Sequence, residues 1–483
     1  MTARPDRAVA RAPVRRHVGD VTTIASPRAA PGAAPSQLVR MLGTADLAFT
    51  AIGIVIGSGI FLVPGLVLAN AGTNTLLALG VWTAGGLLSF FGALTYAELG
   101  AMRPEAGGIY VYIRDAFGPL PAFLYGWSAF FVIATGSVAT LAVAFSTYVG
   151  QLIPMSPVTA RIVSVGLIAI LAVLNIRGTR RSVTLQNYTT VTKLVGLGGL
   201  ALLLIVLGDP GAVMTTPASA APTGRGLGAA MISVLWAYEG WQYVTCLAGE
   251  ARDPQRTFPR AITLALAGVA TLYVVTNFGY VAALGPTAVA QSDRVAADAL
   301  TATVGSGAAA VVSALILVSI LSSTNASVLS PSRIYYAMAR DGVFFARLSE
   351  VSPRFGTPAF AILAGAGWAM VMAATGSFDQ FLTYVVFAAW IFYGLGALSI
   401  FVYRRKLPDA PRPFRVPGYP VTPLLFVASA AALVLNTIAS QPGRAGIGLA
   451  VVLSGVPAYY WWRRTTRVSS ASAVSSVMPP VDP

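Results

Sequence analysis

The chain has 483 residues, 56% of them hydrophobic and only 10% charged. Soluble domains carry roughly 25% charged residues, so a water-soluble globule of this size is excluded. Cys246 and His17 are the only cysteine and histidine, which rules out an internal disulfide, a thiolate zinc centre, a Ser–His–Asp triad and a two-histidine metal site. The composition is that of an integral membrane protein, and it calls for no cofactor.

A hydrocarbon core of about 30 Å takes about 20 helical residues. Runs long enough and free enough of charge predict an all-α chain of twelve spans, at about 45–69, 75–101, 118–150, 160–176, 187–208, 226–248, 260–284, 303–338, 358–375, 379–403, 420–439 and 445–462. The ten-residue alternation of an outer-membrane barrel is missing from these Leu/Ile/Val/Ala/Gly runs.

Basic residues set the expected orientation. With an internal N-terminus, 27 of the 32 lysines and arginines fall on internal segments, against Arg161, Arg225, Arg294 and Arg444 outside and Lys193 inside the fifth span. The positive-inside rule produces this asymmetry, so both termini are expected in the cytoplasm, with the chain in the cytoplasmic membrane. The net charge of +15 is then a topology signal, and no basic face is available for nucleic acid. Residues 1–37 and 466–483 read as disordered tails flanking a transmembrane domain at 38–465.

Irregular backbone at membrane depth is tolerated only inside protein or around a wet cavity, and two interruptions fit that condition. Gly57-Ser58-Gly59 lies within the first span, where glycines also serve close helix packing. Tyr238-Glu239-Gly240 lies within the sixth, flanked by Trp236 and Trp241. The breaks are five spans apart, the spacing of an inverted repeat of two five-helix halves, here about 45–208 and 226–403. The start of a half-helix offers free N–H groups to a carboxylate, and unwound carbonyls suit an ammonium. A site with both suits an amino acid.

Ile56-Gly-Ser-Gly-Ile-Phe61 followed by Pro64 resembles the first helix of the amino acid–polyamine–organocation (APC) superfamily of permeases. Tyr96-Ala-Glu-Leu-Gly100, Pro104-Glu-Ala-Gly-Gly-Ile-Tyr-Val-Tyr112 and Phe117-Gly118 resemble its next signature. Glu250-Ala-Arg-Asp-Pro-Gln-Arg-Thr-Phe-Pro-Arg-Ala-Ile262, the stretch from Asn325 to Ser332-Arg333, and Ala339-Arg-Asp-Gly342 resemble the L-amino-acid transporter branch. The resemblance implies a LeuT-like 5+5 inverted repeat with two peripheral helices at about 420–462, and alternating-access transport of L-amino acids, sodium-independent, by exchange or proton-linked uptake.

It also implies a substrate site on Val55, Ile56, Gly57, Ser58, Gly59 and Ile60 of the first break and Trp236, Ala237, Tyr238, Glu239 and Gly240 of the second. Ser58 and Gly59 N–H groups would hold the carboxylate, the Val55 carbonyl the ammonium, and Trp236 would close the site. Lys193 would replace a sodium ion between the first and eighth helices, with Ser323 as its partner there and Asn325 nearby.

Each assignment has a plainer counterpart. Lys193 can snorkel to an interface, and Trp236 can face lipid. Glu98, at the end of the second span, reads as a gate or loop-pairing carboxylate. Glu239 departs from the family, and three readings stay open: a partner for a cationic amino acid or polyamine, a titrating group that couples protons, or a structural pair with a neighbouring helix. A membrane enzyme would need clustered carboxylates or a His/Cys nucleophile, and a channel a lined pore. Both are less favoured, and an accessory subunit is not assigned.

Overall fold

The computed structural model describes residues 37–214, 224–305, 307, 309–375 and 378–475. The described residues are helical apart from turns, short loops and one isolated bridge, Leu42 with Ala251. Among the described residues, ten helices are long and apolar enough to cross a membrane. In a low-dielectric medium a helix satisfies its own N–H and C=O groups, so the apolar runs fold as helices and the polar punctuation decides where they stop.

The first span is three pieces, α1 (Thr44–Val55), α2 (Gly59–Leu62) and α3 (Pro64–Asn70). α4 (Thr75–Met102) follows, started by Asn74, whose side chain accepts from Leu77 N. α5 (Ile109–Phe117) and α6 (Pro119–Ser128) lead through a π-helical turn at Ala129–Ile133 into α7 (Ala134–Leu152). α8 (Pro157–Ile176) and α9 (Thr179–Leu207) come next. α9 starts two turns earlier than the sequence predicts, because Arg180 and Arg181 extend outward from its first turn and do not end it.

The sixth predicted span is not one helix. α10 (Gly224–Ala237) stops, Tyr238–Gly240 turns, and Trp241–Glu250 continues as 3-10 helix. α11 (Pro254–Leu284), the short α12 (Pro286–Gln291) and α13 (Val295–Val304) precede α14 (Ala309–Leu329) and α15 (Ser332–Arg340). The eighth span is thus also divided, at Ser330-Pro331, where proline removes a donor from the helical ladder. α16 (Ala359–Thr375) has 17 residues, fewer than a full crossing usually takes. α17 (Phe378–Lys406), α18 (Val421–Ser440) and α19 (Pro442–Ser475) complete the chain. α19 reaches into the stretch expected as a C-terminal tail, since a formed helix propagates at little cost. The expected N-terminal tail lies almost wholly outside the described residues.

α1 packs on α9, α11 and α14, with α11 lying along α4 and α14 along α7. At the end of the molecule that carries the basic loops, three carboxylates tie these layers together. Asp46 of α1 meets Arg180 Nη1 of α9 at 2.9 Å and Asn187 Nδ2 at 2.7 Å. Glu98 of α4 accepts from Arg404 of α17 at 2.9 and 2.6 Å and from Val416 N at 2.7 Å, which bears out its pairing role. Glu250 meets Arg333 of α15 at 2.7 Å, both side chains being fully buried. The Glu250 carbonyl also accepts from Met41 N and Leu42 N, strapping the segment before α1 to the end of the 3-10 turn.

Candidate functional site

The first break is made of backbone groups that lost their helical partners. Gly57 N donates to Val55 O at 2.8 Å, and Phe61 N to Ser58 O at 3.0 Å. Ile54 O would take the Ser58 N–H in a continuous helix, and among the described residues no hydrogen bond reaches it. The N–H groups of Ser58, Gly59 and Ile60 begin the second piece and take no carbonyl from the preceding turn.

Lys193 is fully buried on α9, and its Nζ donates to Ile56 O at 2.7 Å, Gly53 O at 2.8 Å and Ser319 O at 3.2 Å. An ammonium has three N–H donors and no acceptor, and three carbonyls are what surrounds it. A neutral amine would turn its lone pair toward one of those oxygens. Snorkelling is therefore not what this side chain does. Its partner on α14 is the Ser319 carbonyl and not the expected Ser323 hydroxyl. Ser323 Oγ lies 2.9 Å from Gly53 O and 3.3 Å from Ile56 O, so it shares the carbonyls that the lysine binds. Ser319 Oγ sits 2.7 Å from Ile56 O.

Asn325 is elsewhere. It accepts from Asn175 Nδ2 at 3.0 Å and Ser182 Oγ at 3.1 Å and donates to Gln186 Oε1 at 3.0 Å. This buried amide cluster joins α8, α9 and α14, with Gln186 about two turns before the lysine along α9. Gln186 carries it on to Ser322 and Thr190, and Thr190 donates to Phe49 O.

In the second break Tyr238 N donates to Val234 O, Glu239 N to Trp236 O, and Gly240 N to Gln242 Oε1, each at 3.0 Å. Gly240 has φ +114°, a left-handed backbone that favours glycine. A Cβ there would also stand 2.3 Å from Ile54 Cγ2. The two breaks therefore touch. Gly59 lies against Ala237 in the same way, a Cβ on it being 3.0 Å from the Ala237 Cα.

Tyr273 of α11 joins the breaks from behind. Its hydroxyl donates to Val55 O at 2.9 Å and lies 3.3 Å from Ala237 O. With Gly57 N already on it, Val55 O has both lone pairs engaged, so this carbonyl is not open to an ammonium. No sequence signal marked Tyr273, one of many aromatic residues in apolar runs.

A cavity of about 90 Å³ opens between the breaks, where one water needs about 10–15 Å³. Ile54, Val55, Gly57, Ser58 and Gly59 line it on one side, and Trp236, Ala237, Glu239 and Gly240 on the other. Three expected site residues are not part of its wall. Ile56 turns its carbonyl to Lys193, Ile60 is wholly buried in the core, and Tyr238 packs on Tyr273 and Trp82 with ring centroids 5.0 and 6.0 Å away. Ser137, Thr140 and Leu141 of α7, Tyr243, Ser327 of α14 and Val385 of α17 complete the lining. These carry no motif, and only the fold brings them to the breaks.

Glu239 Oε1 accepts from Tyr393 Oη of α17 at 3.2 Å. Among the described residues no lysine or arginine pairs with it.

The family model described as amino acid permease matches residues 42–457. The serine/threonine exchanger SteT of Bacillus subtilis is 30% identical over 416 residues, covering 86% of this chain and 94% of its own. The human cystine/glutamate transporter is 33% identical over 444 residues, covering 89% and 86%. The human large neutral amino acids transporter small subunit 2 is 32% identical over 476 residues, covering 94% and 87%. The broken helices, the space between them and these likenesses lead to one assignment: the chain belongs to the amino acid permease family of the APC superfamily.

Proposed function

We propose that the chain exchanges L-amino acids across the cytoplasmic membrane by alternating access, without sodium. The observation that carries this reading is the contact between two interrupted helices around one small cavity, with amides and a carbonyl of the first break that take no helical partner among the described residues. The substrate carboxylate docks on the Ser58, Gly59 and Ile60 N–H groups, where helix-start amides favour an anion. The ammonium docks on Ile54 O, since Val55 O is occupied by Gly57 N and Tyr273. Trp236 covers the cavity. Lys193 holds the first break from the position a sodium ion would need, which supports sodium independence.

Twelve spans in two five-helix halves, with α18 and α19 outside them, are part of the proposal, as are both termini in the cytoplasm. The positive-inside distribution of basic residues supports that orientation. The end bearing the Asp46, Glu98 and Glu250 ties is then cytoplasmic. A ligand drives the cycle only by binding the occluded arrangement better than the open ones.

The test is reconstitution of the full chain in liposomes loaded with unlabelled alanine. Labelled amino acids should enter only when counter-substrate is present, and replacing sodium by choline should leave the rate unchanged. Uptake that stops without sodium, or no uptake of any amino acid, would refute the reading.

A further inference from the structure

A second and larger hollow, of about 310 Å³, opens at the end of the molecule that carries the basic loops. Its charged wall is gathered from distant parts of the chain. Arg40 comes from the segment before α1, Glu105 from the loop after α4, Arg114 from α5, and Arg340 with Asp341 from the end of α15. The two carboxylates are already engaged. Asp341 accepts from Tyr110 Oη at 2.8 Å and from Arg114 Nη1 at 3.0 Å, and Glu105 accepts from Arg114 Nη2 at 3.4 Å. Arg40 and Arg340 are the surplus. Both are open to water, and among the described residues neither meets a carboxylate.

The surroundings hold these two side chains at the hollow. Arg340 lies over the ring of the buried Tyr336, with its Cζ 5.8 Å from the centroid, an arrangement stabilised by cation–π attraction. Arg40 directly precedes Met41, whose N–H is fixed with that of Leu42 on the Glu250 carbonyl. Arginine stays charged and presents its N–H groups as a planar fork. Three guanidinium groups and two carboxylates line the hollow, so it attracts an anion and repels a cation. A carboxylate fills one fork with its two oxygens. A terminal phosphate has oxygens for two forks at once, and the volume far exceeds the roughly 10–15 Å³ that one water needs.

We infer that this hollow is an anion site that takes a terminal phosphate, free in solution or on a lipid headgroup, between Arg40 and Arg340. Its occupant joins the segment before α1 to the end of α15. The site goes beyond the transport reading and does not depend on it, because binding is measured without exchange.

The full chain, purified in neutral detergent, is titrated in two arms. Equilibrium dialysis with radiolabelled pyrophosphate tests the free source. Short-chain phosphatidic acid, against phosphatidylcholine of the same chain length, tests the headgroup, with the melting temperature as readout. Saturable binding is expected in at least one arm, weakening as salt is added. The double variant Arg40→Gln/Arg340→Gln should raise the half-saturating concentration about tenfold or more, as for loss of charge-assisted hydrogen bonds. Each single variant should shift it severalfold in the same direction, which keeps the test decisive if the double variant is unstable. Arg256→Gln removes an exposed arginine outside the hollow and should leave binding within about twofold of wild type.

Saturation by pyrophosphate assigns the site to a soluble phosphate, and saturation by phosphatidic acid alone assigns it to a headgroup. No saturable binding in either arm overturns the site. So does binding that the Arg40 and Arg340 variants leave unchanged, or that Arg256→Gln weakens as much as they do. Each of these results leaves the transport reading standing, since no exchange is involved.

Discussion

Replacing Lys193 by methionine keeps the length of the side chain and removes its three donors. Each hydrogen bond from a charged donor contributes about 1.5–3 kcal/mol, and the wild-type ammonium makes three. Two effects reduce the sum. The Ser319 and Ser323 hydroxyls remain within reach of the Ile56 and Gly53 carbonyls, and removing a buried charge also removes its desolvation penalty. The net loss is about 2–4 kcal/mol, and it falls on the arrangement of the first break that receives substrate. Apparent affinity scales with the population of the competent state, so at about 1.4 kcal/mol per decade half-saturation should rise by about 10²-fold. The assay is the concentration dependence of labelled amino acid exchange in proteoliposomes, at matched protein density and with monodispersity checked by gel filtration. A methionine variant whose half-saturation stays within about twofold of wild type would refute the idea that this ammonium holds the break in shape.

Gly53→Ala should weaken both fold and exchange, because the added carbon would stand 1.9 Å from Gln186 Nε2 and 2.5 Å from Thr190 Oγ1. Overpacking of this kind costs about 1–3 kcal/mol, read as a lower melting temperature in detergent. Arg333→Met leaves the Glu250 carboxylate buried without its cation and should destabilise by about 3–5 kcal/mol. Adding Glu250→Gln to it should recover part of that loss in the same melting experiment, and no recovery would contradict the pairing. Tyr273→Phe removes the donor shared by Val55 O and Ala237 O and should lower exchange about tenfold, for a hydrogen bond contributing about 1.5 kcal/mol. An unchanged rate would show that the breaks hold their geometry without it.

The apolar runs, the glycines at 57 and 59 and the carboxylate at 239 carry their meaning in one dimension. A charge or a Gly-x-Gly inside a lipid-length apolar run is costly or disruptive wherever the helix lies, so the apolar helical runs and the two interruptions were legible from order alone. Lys193 stood out for the same reason. Its partner did not. Ser319 and Ser323 are one helical turn apart on the same face of α14, and choosing between them requires the axial register of α14 against α1 and α9 to better than the 5.4 Å pitch. That register is set by side-chain packing. The same holds for Asn325, placed by its amide partners on α8 and α9, for Tyr273, whose hydroxyl reaches both breaks from a third helix, and for Thr140 and Ser327, ordinary helix residues until the fold turns them toward one hollow. The sequence by itself determined where the chain must cross an apolar medium and where its backbone cannot stay helical. Only the tertiary structure decided which groups meet there, because helical periodicity fixes the face of a side chain and leaves its height and its neighbour to packing.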